Sequence, residues 1–160
     1  MLTPQQYAEA YYAARGRSVQ LLTFFYCTSF DATQAGPITN QLAGDRDSDF
    51  VLCDVRAVVS VRNPDVAPRT FLVTQTRDEL LIRIGESGRT LTDVVAGGPE
   101  PGVNIVDLSG WADRPFVFYE PVIVTARTVL EVTLWPHTIA GTVHRVDVAF
   151  GGMKAISGPL

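Results

Sequence analysis

The chain has 160 residues, 46% of them hydrophobic, and a net charge of −4. It is the size of one domain, apolar enough for a core of its own and too apolar to be disordered. Lys154 is the single lysine, no basic run offers a face to nucleic acid, and no apolar run reaches the ~18 residues of a membrane span.

Met1–Pro4 has neither the charged nor the apolar region of a signal peptide, so synthesis and use in the cytoplasm are expected. A helix starts here: Thr3 is placed as N-cap, Pro4 in the first turn and Gln6 at the far corner of a capping box. Tyr7, Tyr11 and Ala14 share one face, with Ala8 and Tyr12 beside them, and Gly16 can close the helix in the left-handed conformation. A helix of about three turns is not stable alone. It must dock, either on its own domain or on a neighbour. Tyrosine rings suit an interface and the end of a core equally.

Ser18–Phe30 is rich in β-formers and reads as one strand buried on much of both sides. Ala32–Gly44, with Gly36-Pro37 inside it, reads as a long polar loop. The acidic stretch Asp45–Asp49 leads into a strand from Phe50 to Val61. There the apolar parity changes from even (Phe50, Leu52) to odd (Val55, Ala57, Val59), which predicts a bulge near Cys53-Asp54. Cys27 and Cys53 lie in these apolar runs, where free thiols are the default, with a cross-strand disulfide left open. A short strand at Thr70–Thr74, a strand at Leu80–Ile84, a glycine-bearing turn at Gly85–Arg89 and a weakly paired Thr90–Val95 follow. An irregular Ala96–Gly102 and a short apolar Asn104–Leu108 come next. From Arg114 the chain becomes apolar again. Leu130, Val132 and Leu134 alternate with polar residues, as do Val146, Val148 and Phe150, and the two runs are expected to pair as an antiparallel hairpin across Trp135–Thr142. After Phe150 no periodicity remains, and residues 151–160 read as an extended arm.

The count of strands and the alternation predict an all-β fold: a two-sheet antiparallel β-sandwich, jelly-roll-like or immunoglobulin-like, with a short N-terminal helix and an extended C-terminal tail. A closed barrel is the alternative. The expected division is an N-terminal helix or arm at 1–17, a sandwich at 18–150 and a C-terminal arm at 151–160.

Reactive constellations are weak. Asp45, Asp47 and Asp49 alternate as in a calcium loop, but Phe50 stands where such a loop wants glycine and Val61 where it wants glutamate, so a solvated acidic turn is the better reading. His137 and His144 have no cysteine or fixed carboxylate nearby to complete a zinc site. No Gly-x-Ser-x-Gly occurs. No catalytic residue, metal or cofactor is assigned, and the chain is not expected to be an enzyme. Trp111 and Trp135, at loop margins, could stack on sugars in a carbohydrate-binding module or plug the ends of the sandwich.

Asp49–Leu52, Leu81–Ile84 followed by Gly88–Leu91, Pro115-Phe116, Val129–Val132 and the closing Val148–Lys154 form a loose pattern. It resembles small β-sandwich proteins of tailed-bacteriophage virions, of the head decoration or cement type, over roughly residues 49–154. The resemblance implies a structural protein without a cofactor that binds and stabilises the capsid lattice, in a virion assembled in the host cytoplasm. Its partners would be the major capsid protein or other virion subunits. It would be a homo-oligomer, with a trimer favoured, touching neither nucleic acid nor membrane. A tail, neck or fibre component of the same particle is the sibling reading. The expected partner-binding residues are Tyr7, Tyr11 and Tyr12 on the helix and Met153, Lys154 and Ile156 on the tail.

Overall fold

The computed structural model describes residues 2–32, 36–62, 71–73, 79–84, 89–90, 103–104, 115–136 and 144–159. Thr3 caps helix α1 (Pro4–Ala13): its hydroxyl accepts from the Gln6 amide and the Gln6 side chain accepts from the Thr3 amide, closing the capping box. Gly16, at φ 67, then turns the chain directly into the first strand. Among the described residues the strands are β1 (Arg17–Ala32), β2 (Ile38–Ala43), β3 (Asp49–Arg62), β4 (Phe71–Val73), β5 (Glu79–Ile84), β6 (Arg89–Thr90), β7 (Val103–Asn104), β8 (Phe116–Val124), β9 (Val129–Trp135) and β10 (His144–Pro159).

They form two antiparallel sheets. In sheet A, β1 pairs with β10 and β10 with β3, whose far edge takes β8 along one half and β4 along the other. In sheet B, β2 pairs with β9 and β9 with β5, whose far edge is shared by β6 and β7. The first strand thus lies beside the last, and the second beside the last but one. This is jelly-roll connectivity, an all-β two-sheet sandwich as expected. No helix among the described residues is long and apolar enough to cross a membrane.

The core lies between the sheets. Phe30, Phe50, Leu52, Val55, Val146, Val148 and Phe150 project from sheet A onto Ile82, Leu130, Val132 and Leu134 of sheet B, each at most 3% exposed. The parity change in β3 is a bulge: its pairing shifts register between Leu52 and Asp54 against β8, and between Gly151 and Gly152 against β10. At this point β10 has no room for a side chain. A Cβ on Gly152 would stand 2.1 Å from the Val51 carbonyl oxygen.

Three expectations need correction. The runs at 130–134 and 146–150 do not form a hairpin: β9 belongs to sheet B and β10 to sheet A, so they face one another across the core instead of lying side by side. Residues 151–159 are not an arm but the second half of β10, laddered to β1 along their whole length and to β3 as far as Ala155. The sandwich therefore continues past 150, because the Gly151-Gly152 bulge interrupts the alternation without ending the strand. Within the expected loop 32–44 lies β2. Its inward row is Ile38, Asn40 and Leu42, and the polar Asn40 in the middle hides the alternation. Cys27 and Cys53 are both free thiols, the default expected of them.

Candidate interaction surface

Helix α1 packs on the outer face of sheet A, on the side away from sheet B. Ala8 and Tyr12, one helical turn apart, are buried against Val51 and Ala155, with Tyr11, Val19, Leu21, Cys53, Ile123 and Met153 around them. The buried row is therefore rotated one position from the Tyr7–Tyr11–Ala14 row. The helix docks on its own domain.

Its anchor is polar as well as apolar. The Tyr12 hydroxyl donates to Asp49 Oδ2 at 2.6 Å, and Asp49 Oδ1 accepts from the Ala126 amide at 2.7 Å. One carboxylate thus joins the helix, the start of β3 and the β8–β9 turn. Burial first, and then the bond to Asp49 and its negative charge, push the Tyr12 phenol far above its ordinary value, so it remains a donor. Cys53, beneath the same helix, has its thiol pushed up to about 11 by burial and by Asp54, which makes it a poor nucleophile.

The expected partner-binding residues separate. Tyr12 is 1% exposed and bound to Asp49. Tyr7 and Tyr11 are half-buried, and the Arg15 guanidinium lies 3.5 Å over the Tyr11 ring. Met153 is half-buried under the helix on the outer face. Lys154, the next residue, points to the opposite face, where its ammonium pairs with Asp45 and sits 3.7 Å over the Phe24 ring. That ion pair, with the Ser48 hydroxyl, holds the Asp45 carboxyl below its ordinary value. Phe24, Tyr26 and Phe50 stack edge to face at 5.0 and 4.9 Å behind Lys154 and close this end of the sandwich. Ile156 is 45% exposed. The structure therefore brings Tyr11, Tyr12 and Met153 together and leaves Lys154 and Ile156 on the other side of the sheet.

The alternating aspartates do not converge. Asp45 turns to Lys154 and Asp49 to Tyr12, and among the described residues no group of three or more potential ligands could hold a metal. His144 is buried in β10, Trp135 is half-buried at the end of β9, and Trp111 and His137 lie outside the described residues.

Sequence reasoning missed the exposed apolar ground beyond the helix. Phe25, Gly151, Asp54 and Val117 are aligned by pairing across four strands of sheet A, on the outer face. Phe25 is 53% and Val117 61% exposed; Tyr119 and Val58 lie exposed on the same sheet. The signal was present in β8, where both parities are apolar although only one enters the core. None of the family models, curated proteins or solved structures compared with the chain matches it.

Proposed function

We propose that this protein is a structural subunit of a tailed-phage virion, a head decoration protein whose sheet A outer face lies against the major capsid protein and stabilises the shell. The observation that carries this reading is the set of exposed apolar side chains on that face, Phe25 and Val117 on either side of Gly151 and Asp54, with Tyr119 and Val58 also exposed on the sheet. Isolated exposed apolar residues are ordinary, but a group of them on one sheet face suits a protein partner. Jelly rolls serve in viral shells, and also in lectins and cupins, so the fold is compatible with this role and does not fix it. A tail, neck or fibre position in the same particle is the sibling reading.

The test is co-sedimentation of the purified chain with phage heads assembled without it. Binding is expected, and Val117→Asp should abolish it while leaving the circular dichroism spectrum unchanged. Absence of binding, or undiminished binding by the variant, would end the proposal for this face. Electron microscopy of labelled particles then separates head from tail or neck.

A further inference from the structure

β1 has the composition of a strand with a neighbour on each side, yet among the described residues it has one neighbour, β10. Between Arg17 and Asp31 it holds no charged residue and runs through Leu21, Leu22, Phe24, Phe25 and Tyr26. None of its residues from Arg17 to Ser29 is buried, and Leu22 and Phe25 are 44% and 53% exposed. Its pairing with β10 runs from Arg17↔Pro159 to Ala32↔His144 without a register shift, so no bulge breaks the long edge it leaves unpaired among the described residues. Edges of this kind are normally blunted by proline, lysine, a bulge or brevity. β1 has none of these, whereas β2, the edge of sheet B on the same side, has 6 residues. The one guard is Asn40, whose amide donates to the Ser29 carbonyl at 2.9 Å and to the Thr28 hydroxyl at 3.0 Å. Among the described residues no strand or side chain is seen to pair with the edge before Thr28.

We propose that β1 pairs antiparallel with β1 of a second copy of this chain, about a two-fold axis at Phe24, merging two A sheets into one. The charges select this partner and this register. Arg17 and Asp31 are the only charged residues of β1, and they stand equally far from Phe24 on opposite sides. Both are exposed, and neither makes an ion pair within its own chain among the described residues. In the two-fold arrangement the ladder runs from Leu21 to Cys27, short of the Asn40 guard, and beyond it Arg17 of each copy lies at the same end as Asp31 of the other. Arg15 adds to one end and Asp147, across from Ser29, to the other, while Arg145 between Asp31 and Asp147 moderates the acidic end. A parallel pair would set Arg17 against Arg17. The same register places Phe25 opposite Thr23 and Leu22 opposite Tyr26, which covers the exposed apolar side chains of both faces. Because β1 has one unpaired edge among the described residues, such pairing closes at two copies, in place of the trimer implied by the phage resemblance.

The experiment is sedimentation velocity on the purified full chain, which needs no capsid and so stands or falls apart from the decoration reading. A dimer is expected. Arg17→Asp and Asp31→Arg should each weaken it about tenfold, since each creates two like-charge contacts by symmetry. The double swap should restore it, and Phe25→Lys should give monomer with an unchanged circular dichroism spectrum. Asp31→Arg also brings a cation beside Arg145, so Arg17→Asp is the cleaner single variant. A wild-type monomer at all concentrations, a trimer, indifference to Arg17→Asp, or a double swap no tighter than the singles overturns the proposal.

Discussion

β1 and β10 are both 16 residues long and lie in unbroken register with each other, yet they have opposite fates. β10 is the less aromatic of the two. It contains two adjacent glycines, a lysine and, near its start, His144, Arg145 and Asp147, but it has β1 on one side and β3 on the other, and its Val146, Val148 and Phe150 are at most 1% exposed. β1, with three phenylalanines and a tyrosine, keeps only Phe30 and Ala32 fully buried. Burial in a sheet is set by the neighbours of a strand as much as by its own composition.

The sharpest test of that contrast uses one residue type in both strands. Phe150→Ala should cost about 3–5 kcal/mol in chemical denaturation, because it opens a cavity between the sheets. Phe25→Ala, measured at low protein concentration, should stay within about 0.5 kcal/mol. Equal costs would dissolve the comparison.

Gly152→Ala comes next. The added methyl meets the Val51 carbonyl and the edge of the Phe50 ring, so roughly 2–3 kcal/mol is expected from urea titration. A neutral result would mean that the bulge between β10 and β3 opens freely.

Tyr12→Phe removes the hydroxyl from Asp49 and should cost about 1–2 kcal/mol. It should also change the response to alkali. The folded-state phenol is raised above its unfolded value of 10.0, so the stability it contributes is complete below that pH and is lost as pH rises beyond it. Melting temperature against pH should therefore fall above pH 10.0 in the wild type more steeply than in the variant. Parallel curves would show that the helix is held by apolar contact alone.

The smallest effect belongs to Asp45. Its carboxyl is lowered by Lys154 and Ser48 from 3.8, so its contribution is present above that pH and disappears as pH falls through the folded value. Asp45→Asn should melt slightly earlier than wild type at neutral pH, and the two melting curves should converge in acid. A gap that persists there would place the effect in packing and not in charge.

The features legible in the sequence were those encoded locally. The Thr3–Gln6 cap, the alternation of β3, β9 and the first half of β10, and the bulge near Cys53 each announce themselves within a few residues. What the sequence concealed depends on residues far away. Period-two alternation says which side chains face inward, but not which strand lies alongside, so β9 and β10 looked like a hairpin when they oppose one another across the core. β2 was hidden because Asn40 takes an inward position, where it can bond to Thr28 and Ser29 of β1. For the candidate surface, the tyrosines of α1 drew attention through their chemistry, whereas Phe25 and Val117 looked like ordinary core residues. Only the pairing of four strands shows them together in the open.

Ser18 and Pro159 touch although they are 141 positions apart. During synthesis β1 therefore leaves the ribosome long before β10, its one strand neighbour among the described residues, exists, and for that interval its aromatic run is a sticky ribbon with both borders bare. Folds dominated by such distant pairings mature slowly and pass through association-prone species. The amount of this protein recovered in native form should depend strongly on how fast it is made and how well the nascent segment is shielded.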